Sequence, residues 1–248
     1  MDQKTILEVQ GLNLYDRAGQ HLVRDVSLAV HAGETLGLVG ESGSGKTLTL
    51  RSLIGLLPEG IRETCAHRLD NPNCAMIFQN PQSALDPLCP VFRQLTEVVA
   101  LRQRVSAAEA KTRAARLLSR LALPEELALR DRLPGSLSGG QCQRLLIAMA
   151  LACRPEVLLC DEPTTALDVS VQRQTLALIR TLQQELGFAI VFVTHNLAVA
   201  AQLCERLLVM RAGQIVEQGP TRRILTAPAE PYTRMLTDAI LSVPERRD

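Results

Sequence analysis

The chain has 248 residues, enough for one large α/β domain or for one domain with a sizeable insert, and 46% of them are hydrophobic, so a core is easily filled. Lys and Arg number 27 against 26 Asp and Glu, a net charge of +1, which excludes a global field that would draw in nucleic acid or an anionic membrane. The longest apolar stretches, such as Leu145 to Cys153, fall far short of the roughly 20 residues that span a bilayer; the N-terminus lacks a signal-peptide core and the seven cysteines are scattered, so a reducing, cytosolic setting is expected.

In chain order, Ile6 to Tyr15 reads as a strand, Asp16-Arg17-Ala18-Gly19 as a turn, and Asp25 to Val30 as a second, alternating strand, together an antiparallel layer. Thr35 to Val39 is a short apolar strand ending at Gly40, and Lys46 to Leu57 has helical spacing up to Pro58. The stretch Cys65, His67, Cys74, Cys89 contains no CxxC and its spacings are irregular, so these read as free thiols and packing residues, not metal ligands. From Val91 to about Leu123 the pattern is helical, and Pro124 and Pro134 break it, which suggests an inserted helical subdomain. Then come a helix from Gly140 to Cys153, a strand Val157 to Cys160, a helix Val169 to Leu186, a strand Ala189 to Val193, and a closing hairpin of Arg206 to Met210 with Gln214 to Gln218. This alternation implies a parallel sheet with crossover helices.

Three motifs carry chemistry. Gly40-Glu41-Ser42-Gly43-Ser44-Gly45-Lys46-Thr47 satisfies G-x-x-x-x-G-K-[ST] between a strand and a helix. Its backbone N–H groups can converge on phosphate oxygens, with Lys46 reaching the β and γ phosphates and Thr47 offering its hydroxyl to Mg²⁺. A glycine-rich turn with an incidental lysine is rejected on the strand and helix context. The apolar strand Val157 to Cys160 delivers Asp161 and Glu162 at its C-terminal edge, where open α/β sheets bind ligands. Asp161 is a candidate to hold Mg²⁺ through its water shell, and Glu162 a candidate general base. Leu137-Ser138-Gly139-Gly140-Gln141 opens a helix, and reads either as a second anion-binding helix start or as a simple N-cap with a glycine bend.

Taken together, GESGSGKT, the Gln79 loop in IFQNPQSALDP, LSGGQ, LLCDEP, Ala166-Leu167-Asp168 and Thr194-His195 resemble the ATP-binding subunits of ABC transporters, in order and spacing along nearly the whole chain. The resemblance implies an α/β P-loop NTPase of ABC type: a mixed sheet core, an antiparallel β layer and an inserted α-helical subdomain. It implies one domain over 1–248, with the ATPase core and β layer in about 1–87 and 155–220, the helical subdomain in about 88–154 and a helical tail in about 221–248. ATP would be held by Tyr15, stacking on adenine, and by Gly40 to Thr47 with Leu48. The Leu137 to Gln141 signature would clasp the ATP of an opposing subunit, so hydrolysis would require a dimer. By the same resemblance Gln79 contacts Mg²⁺ and the attacking water, Asp168 lies at the dimer seam, and His195 is the switch residue on the γ-phosphate.

Asn80 to Pro87 and Pro228-Ala229-Glu230-Pro231-Tyr232-Thr233 look like the peptide and nickel importer branch, and Leu57 to Thr64 resembles its shorter nickel-type subunit. Expected partners are two transmembrane permeases, a second ABC ATPase subunit and, indirectly, a substrate-binding protein, at the cytoplasmic face of the membrane; no nucleic acid is expected. The stretch before Gln79 is short and lacks a glycine-bounded strand pair, so the antiparallel layer is expected to be trimmed there. Cys142 and Cys160 beside the motifs read as packing residues. Two other readings compete. A soluble ABC ATPase acting on nucleic acid or ribosomes would use the basic segment Arg102, Arg104, Lys111, Arg113, Arg116 and Arg120, which reads more simply as a solvated face. A nucleotide-binding regulator without turnover conflicts with the intact Glu162 and His195.

Overall fold

The computed structural model describes residues 4–69, 73–165 and 167–241. Two long strands, β1 (Thr5–Tyr15) and β2 (His21–His31), precede the short β3 (Thr35–Val39) and helix α1 (Lys46–Ser52). Three short strands follow, β4 (Arg62–Thr64), β5 (His67–Leu69) and β6 (Cys74–Ile77). Helices α2 (Val91–Gln103), α3 (Ala107–Arg120), α4 (Glu126–Leu129) and α5 (Gly139–Ala152) lead to β7 (Val157–Asp161) and α6 (Val169–Leu186). The chain closes through β8 (Ala189–Thr194), α7 (Leu197–Leu203), β9 (Arg206–Arg211), β10 (Gln214–Pro220), α8 (Thr221–Thr226) and α9 (Pro231–Leu241). These elements form two compact units, Met1–Pro72 with Gly187–Asp248, and Asn73–Leu186.

In the first unit β1 is the centre of an antiparallel layer, with β2 along one edge and β4 and β5 in succession along the other. Leu7, Val9, Leu12 and Leu14 of β1 face a common core with Val23, Val26, Leu28 and Val30 of β2, all of them buried. The same unit holds a mixed sheet: β3 is parallel to β8 on one side and to β9 on the other, and β10 runs antiparallel to β9. Every residue of β3 and β8 is buried, as continuous apolar runs in parallel strands require. An ion pair joins the two sheets. Arg206 at the start of β9 donates from Nε to Glu34 Oε1 at 2.8 Å and from Nη2 to Glu34 Oε2 at 3.2 Å, and Nη2 also donates to the carbonyl of Ala29 in β2. Glu34 is 5% exposed and also accepts the His31 N–H, so its charge is fully engaged.

The second unit packs α2 and α3 on α5. Val91, Leu95 and Val99 of α2, and Ala110, Ala114 and Leu118 of α3, are buried at helical spacing. Ser106 caps α3 by accepting the Glu109 N–H. Strand β6 lies parallel to β7, with Ile77 opposite Cys160, so the two chains leave the pair at the same end.

Two expectations need correcting. The helix after the glycine loop stops at Ser52, not Leu57, because Gly55 at φ 67° closes it: Leu56 N–H bonds the Arg51 carbonyl and Gly55 N–H the Ser52 carbonyl, a Schellman end placed before Pro58 is reached. The antiparallel layer also keeps its strand pair before Gln79. Strand β4 pairs with Asn13 to Tyr15 and β5 with Glu8 to Gln10, but each has three residues, too few for an alternating pattern to register.

Arg206→Ala leaves the Glu34 carboxylate buried without its cation, so a loss of about 3 kcal/mol of stability is expected in urea or guanidinium unfolding. A change under 1 kcal/mol would show that the pair does not join the sheets.

Candidate functional site

In the first unit, the glycine loop leaves the C-terminal end of β3. Gly40 has φ 154°, and a Cβ there would lie 2.1 Å from the Met210 carbonyl oxygen, so only glycine can pass β9 at this point. Gly45, at φ 102°, is the N-cap of α1. Between them the chain curls around its own lysine. Lys46 is 4% exposed, and its Nζ donates to the carbonyls of Gly40 at 2.9 Å and Glu41 at 2.7 Å, which compensate the burial of its charge. The β9–β10 turn braces the loop from behind through Gly213 N–H to the Ser44 carbonyl at 3.0 Å. Glu41, Ser42 and Gly43 form an exposed tip, while Thr47 and Leu48, in the first turn of α1, are half-buried.

His195 is brought to the same edge by register. Val39 pairs with Thr194, so Gly40 and His195 are the next residues out of adjacent parallel strands. His195 is exposed, and Asn196 fixes the chain beside it by capping α7 through the N–H groups of Ala198 and Val199.

Tyr15 stands at the end of β1 and is already sandwiched. The His21 ring stacks on it with centroids 4.4 Å apart, and the Arg62 guanidinium sits 4.8 Å from its centroid. His21 comes from β2 and Arg62 from β4, on either side of β1, so both faces of the ring are covered. His21 is held by Asn13, whose Nδ2 donates to the Gly11 carbonyl and so fixes its amide with Oδ1 toward His21 Nε2, 2.8 Å away. That oxygen only accepts, so Nε2 carries the proton. These two neighbours of Tyr15 were missed; the hairpin turn at 16–19 was the signal for His21.

In the second unit, Gln79 follows β6 and the acid pair ends β7. Asp161 is buried at 2% exposure as the last residue of the strand. Glu162 turns the chain with φ 45°, a left-handed conformation that non-glycine residues adopt only when their surroundings hold them there. Its Oε2 accepts from Gln79 Nε2 at 3.3 Å and from Thr165 Oγ1 at 2.9 Å. Gln79 and Glu162, expected to act on the same water, are thus in contact, and Thr165, which the motif alone does not reveal, bonds the same carboxylate oxygen.

Leu137 is buried, and Ser138 caps α5 in a reciprocal box with Gln141: Ser138 Oγ accepts the Gln141 N–H at 3.3 Å and Gln141 Oε1 accepts the Ser138 N–H at 2.9 Å. The N-cap reading of this motif is therefore realised. It does not explain both glycines. A Cβ on Gly140 would press on Val171 at 2.9 Å, whereas one on Gly139 would meet nothing closer than Leu167 at 3.9 Å, and Ser138 and Gly139 are both exposed. Asp168 accepts the Val171 N–H at the start of α6; Ala166 lies outside the described residues.

Cys142 and Cys160 are buried, and burial raises both thiols, most strongly Cys160, so neither is a ready thiolate. In the basic segment Arg102 bonds Asn73, Arg113 bonds Glu109, and Arg120 bonds Glu185. Among the described residues no three His, Cys, Asp or Glu form a metal cluster, and no helix is long and apolar enough to cross a membrane. The expected Mg²⁺ donors Thr47, Gln79 and Asp161 supply hydroxyl, amide and carboxylate oxygens, the hard set that this ion prefers.

The profile of the family described as ABC transporter matches residues 23–165. The chain is 42% identical to the glutathione import ATP-binding protein GsiA of Salmonella choleraesuis and 40% identical to that of Pectobacterium atrosepticum, alignments covering 97% of this chain and 43% of each relative. It therefore spans less than half the length of these curated relatives. Among solved structures it is similar to the post-hydrolysis dimer of the ATP-binding cassette MJ0796 bound to ADP and Pi, with a TM-score of 0.74 and 26% identity over 88% of this chain and 99% of that one. It is also similar to cbiO1 from Clostridium perfringens, part of the ABC transporter complex cbiONQ, with a TM-score of 0.76 and 25% identity over 98% of this chain and 97% of that one.

Gly40→Ala should cost at least about 2 kcal/mol in unfolding free energy, because clash and backbone strain coincide. Gly43→Ala, with nothing within 4 Å of the added carbon, should cost only about 1 kcal/mol from its positive φ. Equal losses would contradict the packing described for the loop.

Proposed function

The chain belongs to the ABC transporter family, and on that premise we propose that it is the ATP-hydrolysing subunit of a membrane importer, working as one of two cassettes that close on ATP. The observation that carries this reading is Gly139. It sits exposed at the start of α5, where the chain's own packing does not demand a glycine, and a close approach from a second subunit's nucleotide supplies the missing reason. The likeness to a cassette dimer bound to ADP and Pi supports the same arrangement.

In this reading Lys46 and the loop N–H groups from Gly43 to Thr47 bind the β and γ phosphates, and Leu48 continues the helix that bears them. Thr47 and Gln79, and Asp161 through a water shell, would offer oxygens to Mg²⁺, which would neutralise charge on the phosphates. Glu162 accepts a proton from the attacking water, oriented by Thr165 and partnered by Gln79. His195 contacts the γ-phosphate, Asp168 contributes to the seam, and Ser138, Gly139 and Gly140 act on the partner's nucleotide, with Leu137 and Gln141 holding that helix start. Adenine stacks on Tyr15, which requires Arg62, exposed and carried on a three-residue strand, to leave the ring face.

Two permease subunits would supply the membrane path, placing the chain peripherally at the cytoplasmic face, with a substrate-binding protein outside. Relatives named for glutathione import favour a small peptide as cargo over nickel or a metal chelate. The engaged state of Arg102, Arg113 and Arg120 weakens the alternative of a nucleic-acid-directed ATPase.

Glu162→Gln is expected to keep ATP binding, cut turnover by about 10²-fold or more and stabilise the ATP-bound dimer, read by titration calorimetry, phosphate release and light scattering. Unchanged turnover would remove Glu162 from the role of general base.

A further inference from the structure

We infer that Tyr232, on the C-terminal helix, is a positioning residue of the phosphate loop, and that the Pro228 to Thr233 motif exists to deliver it there. The inference rests on the nucleotide role proposed for the glycine loop. Tyr232 is 4% exposed, and its hydroxyl oxygen accepts the Glu41 N–H at 3.0 Å. Glu41 follows Gly40, where the loop leaving β3 passes β9, so this bond fixes the direction of the first peptide of the curl.

The phenol is itself held on two sides. The Arg211 guanidinium lies 4.8 Å from the centre of its ring. Arg211 directly follows Met210, whose carbonyl blocks any side chain at Gly40, so one strand end braces both the loop and the tyrosine. Upstream of α9, the buried Glu217 of β10 accepts the N–H groups of Ala229 at 2.8 Å and Glu230 at 3.1 Å. Burial raises the Glu217 carboxyl, but these donors and the Arg223 charge outweigh it and hold the group below its ordinary value, so it stays ionised and keeps its grip on the helix start. The helix is thus tied to the same hairpin that braces the loop, and the hydroxyl reaches Glu41 with little freedom.

A general packing role predicts that losing the hydroxyl lowers stability alone. A positioning role predicts weaker phosphate binding, because the unbonded Glu41 peptide lets the N–H groups beyond it diverge. The test uses the full chain carrying Tyr232→Phe, with MgATP and inorganic tripolyphosphate titrated well below the unfolding temperature. Both dissociation constants should rise by about threefold to tenfold, the effect of one neutral hydrogen bond, with kcat at saturating ATP within about twofold of wild type. The base-free probe locates the defect in the phosphate cradle. Unchanged tripolyphosphate affinity, whether or not the unfolding temperature drops, would overturn the proposal. If wild type bound tripolyphosphate no better than Lys46→Ala, the nucleotide reading itself would fail, and this inference with it.

Discussion

The backbone at the end of β3 has to turn within contact distance of β9, and that constraint governs the first unit. Gly40 is the residue that can do so: any side chain would overlap the Met210 carbonyl. Once the chain has turned there, the carbonyls of Gly40 and Glu41 converge on Lys46 and help to offset the burial of its charge. The β9–β10 turn, the ion pair of Arg206 with Glu34 and the tyrosine of α9 all serve to hold β9 and its hairpin where this turn needs them.

Each unit places its candidate site residues by strand register. In the first, the pairing of Val39 with Thr194 brings Gly40 and His195 out at neighbouring positions. In the second, the pairing of Ile77 with Cys160 makes Gln79 and Glu162 emerge at the same end, close enough to bond. Buried strands place these residues more rigidly than loops would, and the exposed part of each site begins only where the strand stops. Glu162, in a left-handed conformation held by Thr165, is where backbone strain and the proposed proton transfer coincide.

Most of this was legible from the chain because the motifs are contiguous. The glycine loop, the acid pair and the serine cap each fit within a few residues, and the apolar runs of β3, β7 and β8 are long enough to read. What stayed hidden depends on pairs distant in sequence or on very short elements. The three-residue strands β4 and β5 have no periodicity to detect, and Arg62 reaches Tyr15 only through the pairing of β4 with β1. Gly55, an ordinary glycine in sequence, ends α1 because the chain can turn left-handed there. Tyr232 was visible only as a mark of one branch; its bond to Glu41 spans 191 positions.

Hydrolysis as proposed needs the P-loop of one chain and the Ser138 helix start of another. The most direct measurement mixes two inactive variants, Lys46→Ala and Ser138→Arg, and follows ATP hydrolysis against wild type. Their hybrid contains one shared site with an intact P-loop and an intact signature, so activity should reappear on mixing. A mixture as inactive as its components, beside an active wild-type chain, would contradict the shared site.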